Sequence, residues 1–380
     1  MLNEIALHYG DPPASDAGIR GHSHNPTSLN SLVSPEPLQP LRPQHRRSRE
    51  RVDSLADEVL SLLTSSMTRK GSLKKMRYDE TRPLLLAVLR RRIAMGEPVQ
   101  LTLMAFPFKV PNPAKVGPRA MPDLAELAAI QRFCSLEKMI RAVYEPGLEL
   151  HILHDGALLS DVFDISVEEV RRYEGYFQGL IRIADACGFI HCHDFTEMQR
   201  SGGLDPTRTL TSLRAEANDW WNSTLGAPEW RACFRKTLGM MNLRALPWQI
   251  ASGLLGEARE GRLPAGFADL ERRVHRAMVE YRMKDQIIHR FDPRPICFPD
   301  AIHATTQQRP GRLALWLVRR GRGFLPWHGV GVVNCLRQVS VRPAEDVLNR
   351  PDIQPMYLGS EPSPFLYLAS AAENFAATAS

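Results

Sequence analysis

Residues 99–156 read "VQLTLMAFPFKVPNPAKVGPRAMPDLAELAAIQRFCSLEKMIRAVYEPGLELHILHDG". The stretch opens on a short, nearly continuous apolar run, VQLTLMAF (99–106), the pattern of a strand buried on both faces. Over 122–144 apolar residues recur at helical spacing, and Pro122 and Asp123 suit the first turn of a helix. Glu-Pro-Gly at 145–147 then turns the chain into a second strand, LELHILHDG (148–156). Strand, helix and strand in this order predict a right-handed crossover between two parallel strands.

The same alternation continues downstream. Ser166 and Glu169 make an S-x-x-E capping box that opens a helix, and GFIHCHDF (188–195) reads as a third strand. The expected fold is α/β, a Rossmann-like, largely parallel sheet flanked by helices. Residues 54–67 and 80–96 carry helical patterns ahead of the first strand. Residues 204–290 hold no convincing strand and predict a helical insert. DAIHATT (300–306), RLALWLV (312–318) and HGVGVVN (328–334) are read as strands that extend the sheet, with a last short strand in the tail 363–380. Residues 1–52 are rich in Pro, Ser, His and Arg and too poor in apolar residues to offset ordering entropy. They are expected to be a disordered tail, with 53–380 forming one domain.

Bulk composition narrows the function. The 380 residues are 43% hydrophobic and 24% charged, with net charge +6, which suits an anionic small substrate as readily as nucleic acid. The basic cluster RPQHRRSRERV (42–52) is read as solvated tail, so no nucleic-acid partner is expected. Six scattered cysteines without a C-x-x-C pair read as buried free thiols in a reducing compartment. The start MLNEIALHYGDPPASD lacks the basic and apolar parts of a secretory signal, and no segment is long and apolar enough to span a bilayer. A cytoplasmic protein with no membrane partner is expected. The sequence contains no G-x-x-x-x-G-K-[ST], H-E-x-x-H or G-x-S-x-G. In HCHD (191–194) alternation puts His191 and His193 on one strand face, but no third ligand has sensible spacing, so no metal is assigned.

Ligands of open α/β sheets bind beyond the carboxyl ends of the strands. Those ends carry Lys109, Asn112, Lys115 and Arg119 after the first strand, His154, Asp155 and Asp161 after the second, and His193 and Asp194 after the third. Cations, carboxylates and imidazole at one edge suit an anionic substrate undergoing proton transfers. Five prolines stiffen residues 106–123, so that loop loses little entropy when it holds a phosphate through Lys109 and Lys115. The plain rival is a solvated basic loop, as Asp155-Gly156 alone would be a tight turn and Trp220, Trp221 and Trp230 the core of a bundle.

Three segments taken together resemble a known family: FPFKVPNPAKV with MPDLAEL, VYEPGLELHILHDGALLSDVFDIS, and PDAIHATTQQRPGRLALWLV with LPWHGVGVV. They are similar to the pyoverdine/dityrosine biosynthesis family, the isocyanide (isonitrile) synthases. The resemblance covers residues 55–200 and 291–335 and implies an enzyme of secondary metabolism. It would convert the α-amino group of an amino acid to an isonitrile with ribulose 5-phosphate as one-carbon donor, without metal or redox cofactor. It implies Lys109, Asp155 and His328 as catalytic residues and Lys115, Asp161, His303 and Arg312 as substrate-binding residues. The chain also departs from the family. His154 stands for a common Ser, DAIHATTQQ replaces R-L-S-I-H-P and loses its arginine, and LPWHG replaces T-P-W-H-N. These departures leave open a degenerate member that binds a sugar phosphate or a protein partner without turnover.

Overall fold

The computed structural model describes residues 48–67, 78–116, 120–306, 312–318, 320–321, 325–334, 338–348, 350–351, 353–358 and 361–369. The expected tail lies outside the described residues up to 47, and from Arg49 the chain is helical. Arg119 also lies outside them. Helices α1 (Arg49–Met67) and α2 (Tyr78–Met95) lead into β1 (Val99–Met104). Thr102 and the flanking Leu101 and Leu103 expose none of their surface, as the unbroken apolar run requires. β1 pairs in parallel with β2 (Leu148–His154) on one side and β4 (Ile302–Thr305) on the other. β3 (Ile190–Asp194) and β5 (Leu313–Ala314) complete a five-stranded parallel sheet in the order β3-β2-β1-β4-β5. As an edge strand, β3 is partly exposed along His191–Asp194, which explains why its sequence tolerates polar residues.

Two capped helices make the crossovers. α3 (Leu124–Val143) starts at Asp123, whose Oδ1 accepts from the Ala125 N–H at 2.7 Å while Glu126 Oε2 accepts from the Asp123 N–H at 2.9 Å. After the short α4 (Gly156–Leu159), α5 (Val167–Ile183) starts at Ser166, with the reciprocal Ser166–Glu169 bonds predicted from the sequence. Phe106, at the end of β1, has φ +56°, a conformation bulky side chains rarely adopt. That turn carries the backbone of Pro107 directly over Gly156, where a Cβ would lie 2.0 Å from the Pro107 carbonyl oxygen. Asp-Gly at 155–156 is therefore set by close packing of two loops as well as by turn preference. Gly156→Ala is expected to cost ~1–3 kcal/mol of unfolding free energy, read as a lowered urea midpoint with unchanged slope.

α6 (Phe195–Ser201) follows β3, and residues 204–290 then hold α7 (Leu210–Thr224), α8 (Pro228–Leu238), α9 (Trp248–Glu257) and α10 (Ala268–Arg290). Leu213 and Ala217 of α7 meet Met283 and Ile287 of α10, each pair four residues apart on one helix face. Trp230 is core, buried with its ring 5.3 Å from Trp221 and 5.7 Å from Phe234, while Trp220 and Trp221 are half-buried.

The C-terminal part departs from expectation. After α11 (Arg294–Cys297), β4 and β5 extend the parallel sheet, but the strand within HGVGVVN does not. β6 (Arg320–Gly321), β7 (Val330–Val333), β8 (Val339–Arg342), β9 (Ile353–Leu358) and β10 (Glu361–Ala369) form a second, mixed sheet in the order β6-β8-β7-β10-β9, with α12 (Ala344–Leu348) after β8. β7 is pinned away from the first sheet because the Gly331 N–H donates to Asp123 Oδ1 at 3.2 Å, at the start of α3. A Cβ at 331 would lie 2.4 Å from the Ala125 nitrogen. The described cysteines are free, but none is fully buried and Cys187 is exposed; Cys335 lies outside the described residues. Among the described residues no helix is long and apolar enough to cross a membrane.

Candidate active site

The strand order reverses between β1 and β4, so the crevice at their carboxyl ends is where an open α/β sheet takes its ligand. One wall is the proline-braced loop. The Val110 N–H donates to the Trp327 carbonyl at 3.2 Å, and the Phe106 and Trp327 rings meet edge-on at 5.0 Å. Leu243, beyond α8, donates its N–H to the Pro111 carbonyl at 2.9 Å, tying the helical insert over the loop.

Lys109 does not face this crevice. Its side chain is 1% exposed, and Nζ lies 2.7 Å from Asp123 Oδ2 and 2.8 Å from Glu126 Oε2. The Tyr173 hydroxyl donates to the other Glu126 oxygen at 3.2 Å. Burial alone would pull the ammonium's pKa down, but the two carboxylates outweigh it and hold it above its ordinary value. Lys109 thus clamps the loop to the N-terminus of α3, and its charge is spent inside the protein.

Lys115 is half-buried. Its ammonium packs against Gly239 at the C-terminal end of α8, where a Cβ would lie 2.6 Å from Nζ. The partial negative charge of a helix C-terminus suits a cation there. Burial, with Lys236 nearby, brings Lys115 down to about 8 despite the opposing pull of Glu345. Lys236, in the last turn of α8, donates to the Tyr281 hydroxyl of α10 at 3.4 Å, its Nζ 5.0 Å above the ring. His328 is half-buried, and burial plus the positive charges of Lys115, Lys236 and Lys109 push it down to about 3. Its imidazole is therefore neutral, within electrostatic reach of all three lysines, and without a hydrogen bond to its ring among the described residues.

Asp155 is half-buried, directly after β2. Burial, then the like charge of Asp285 on α10, push it up to about 6, while Arg294 pulls the other way. Tyr281 is held above its usual range by burial and by the nearby Asp285 and Asp155, so one tyrosine links the lysine end of the basin to the carboxylate end. Further along, Arg294 is 2% exposed and grips Asp292 with two bonds, Nε to Oδ1 at 2.8 Å and a terminal nitrogen to Oδ2 at 2.6 Å. It also donates to the Ala304 carbonyl at 3.0 Å. Arg312, a third exposed, lies 3.6 Å from the same Asp292 oxygen. His303 shares a 2.8 Å hydrogen bond with Thr102 and is brought down to about 4 by burial and by Arg294, with Arg312 adding to that push.

His328 is in electrostatic contact with Lys115, Lys236 and Lys109, Asp155 with Asp285, Arg294 and Tyr281, and His303 with Arg294 and Arg312. Asp161 is largely exposed and pairs with Lys284 at 2.5 Å. Both line a pocket of about 780 Å³ over β3. His154, in the family's Ser position, turns away from the crevice and bonds the Phe106 carbonyl at 2.8 Å. His191 and His193 do acquire a neighbour of their kind, His151, whose Nδ1 is 3.1 Å from His193 Nε2. Among the described residues, however, no group of three potential ligands is set to hold a metal ion. Sequence reading missed Lys236, Tyr281, Asp285, Asp292 and Arg294. Only the last two had a local signal, the i, i+2 pair in FDPRP (291–295).

Comparison with known proteins agrees with this picture. Residues 89–221 match the profile described as pyoverdine/dityrosine biosynthesis protein. The chain is 31% identical over 138 residues to an L-tyrosine isonitrile synthase of Xenorhabdus nematophila, a match that spans 36% of this chain and 41% of that relative. It is 25% identical over 253 residues to an L-tyrosine isonitrile synthase of Pseudomonas aeruginosa, spanning 63% and 71% of the two chains. It is 38% identical over 95 residues to an L-tryptophan isonitrile synthase, AmbI1, of Fischerella ambigua, spanning 25% and 29%. The crystal structure of the PvcA protein from Pseudomonas aeruginosa superposes with a TM-score of 0.55 at 20% identity, over 83% of this chain and 99% of that one. At that identity the likeness speaks for the fold. α3, the proline-braced loop and the crevice-forming β1 and β2 all lie inside the residues that match the pyoverdine/dityrosine biosynthesis profile, and the chain spans less than half the length of the Xenorhabdus nematophila relative.

Proposed function

We propose that this protein is an isocyanide synthase that converts the α-amino group of an amino acid to an isonitrile and takes the carbon from ribulose 5-phosphate. The observation that carries the reading is the electrostatic group of Lys115, Lys236 and His328 and its link through Tyr281 to Asp155. Relatives named as L-tyrosine and L-tryptophan isonitrile synthases support it. The phosphate lies against Lys115 and Lys236, two ammonium groups whose mutual repulsion a bound dianion relieves. Burial, and after it those lysines, hold His328 neutral, so the same dianion raises its pKa toward donating a proton. Condensation of an amine with the sugar ketone removes a proton from nitrogen and expels water. Asp155, at about 6, serves as the base for that step and for later enolisation, and His328 as the partner acid. The amino-acid carboxylate falls to the guanidinium end, at Arg312 beside His303. Holding both substrates in register contributes ~7–11 kcal/mol toward the barrier. Lys109 and Asp161 act through others, Lys109 by fixing the loop and Asp161 by binding Lys284 of α10.

A degenerate member that binds a sugar phosphate without turnover is the second reading, favoured by the lost arginine before His303. Arg294 and Arg312 flank that histidine and weigh against it. Incubation of the purified protein with ribulose 5-phosphate and each amino acid in turn, followed by mass spectrometry, decides the matter. One amino acid is expected to gain a carbon and lose two hydrogens, with EDTA leaving the yield unchanged. If none is consumed, the enzymatic reading fails.

A further inference from the structure

The 780 Å³ pocket over β3 does not have Lys115, Lys236, Asp155, Tyr281 or His328 among its lining residues, although His154 and Ala157, on either side of Asp155-Gly156, do line it. Its floor is the carboxyl ends of β2 and β3, and its walls are α4, α5 and α6, with Lys284 reaching in from α10. Two polar atoms lining it are buried and have no hydrogen-bond partner, His154 Nε2 and Glu174 Oε1. His154 is 3% exposed, and its Nδ1 lies 2.8 Å from the Phe106 carbonyl, which fixes the proton on Nδ1 and leaves Nε2 as a bare lone pair. Burial brings His154 down to about 4, so it remains an acceptor at neutral pH. Glu174 lines the same pocket with a carboxylate, with Asp194 and Glu197 close enough to repel its charge. The interior therefore offers acceptors that nothing in the protein satisfies, and buried acceptors without donors are unfavourable.

The rim has the opposite character. Arg171 of α5 and Arg200 of α6 are exposed, line the pocket, and form no ion pair among the described residues. A ligand that matches both ends carries a donor-rich cation inside and an anion at the mouth.

We propose that this pocket is a second binding site, for a small zwitterion of the α-amino-acid class. Its ammonium group binds His154 Nε2 and the Glu174 carboxylate, and its carboxylate binds the guanidinium groups of Arg171 and Arg200. A simple amine leaves the rim arginines unused, and a simple acid meets Glu174, Asp194 and Glu197. The proposal does not depend on the reaction proposed above. Binding is also linked to pH. Burial, then Asp194 and Glu197, raise Glu174 to about 7 against the pull of Arg171, while Cys192 and His193 from β3 face the same space uncharged. A cation favours ionised Glu174, so affinity falls as pH drops through about 7.

Equilibrium dialysis of the full chain with labelled L-tyrosine and L-tryptophan at pH 8 tests the site. For at least one of them, Glu174→Ala and the double variant Arg171→Ala/Arg200→Ala are each expected to weaken one class of sites ~10-fold or more, for the loss of one charge-assisted contact. Methylammonium and acetate are expected to compete poorly. Lys115→Ala, in the crevice, is expected to leave this class of sites intact. Lowering the pH from 8 to 6 is expected to weaken binding in the wild type and much less in Glu174→Ala. Both substitutions remove side chains without internal partners, so the fold is expected to survive, and unfolding midpoints check that. If both variants bind as the wild type does, the site is overturned, whatever the outcome of the isonitrile assay. If isonitrile formation fails while Glu174-dependent binding persists, the site stands and the enzymatic reading falls.

Discussion

Asp155→Asn is expected to lower kcat by ~10²- to 10⁴-fold, the range of a lost general acid/base, while the protein stays folded. The substitution keeps the shape of a half-buried side chain and removes only its ability to take a proton. The pH profile makes the test specific. Folding raises this carboxyl from 3.8 to about 6, chiefly by burial. A base must be ionised to act, so kcat/KM is expected to rise tenfold per pH unit below about 6 and to level off above it. In the variant that limb disappears. His328, at about 3 in the free protein, adds no second limb between pH 5 and 8. Stability moves the other way. A carboxyl whose pKa folding raises favours the native state when protonated, and that contribution is lost as pH climbs from 3.8 through about 6. At neutral pH the asparagine variant is therefore expected to unfold no more easily than the wild type. A kcat/KM profile that kept its acid limb in Asp155→Asn would remove this residue from the chemistry.

The β1–α3–β2 unit was legible because each of its signals is local. An unbroken apolar run fits only a strand buried on both faces, and Asp123 with Glu126 caps α3 using four consecutive residues. The second sheet was not legible. Val330–Val333 pairs with β8 and β10 because Gly331 lies against the start of α3, a contact 208 residues apart in sequence. The candidate site divides in the same way. Asp155, Lys115 and His328 lie next to features that the sequence displays, a strand end, a proline-braced loop and the Pro-Trp-His turn. Lys236, Tyr281 and Asp285 come from two insert helices whose pattern reports only packing, so nothing local marks their polar faces as functional. Lys109 exposes a subtler limit. A cation at a strand end reads the same whether its side chain turns outward to a ligand or inward to a carboxylate. The sequence marks Asp123 only as suited to the first turn of a helix and does not mark Glu126 at all, and a cap that also neutralises a buried lysine has no separate signature.

Lys109→Met should consequently behave as a folding variant. The native cluster places one ammonium between two carboxylates that are 3% and 0% exposed. Remaining donors soften the excess negative charge: the N–H groups of Asp123, Ala125 and Gly331 and the hydroxyl of Tyr173. Removing the ammonium leaves two buried carboxylates to repel each other, and breaking a buried pair from one side costs ~3–5 kcal/mol. Against a total stability of ~5–15 kcal/mol, that is enough to leave much of the protein unfolded at growth temperature. The expected results are a large fall in the unfolding midpoint and poor soluble yield. Neutralising the partners as well, in Lys109→Met/Asp123→Asn/Glu126→Gln, should recover part of the loss, because the charge that Lys109 balanced is gone. A lysine that bound phosphate directly would give the reverse: a well-folded single variant with a much higher KM for ribulose 5-phosphate, and no rescue by the added amides. The outcome separates a clamp under the loop from a contact within the crevice, and with it whether the prolines brace the loop for Lys115 or for Lys109.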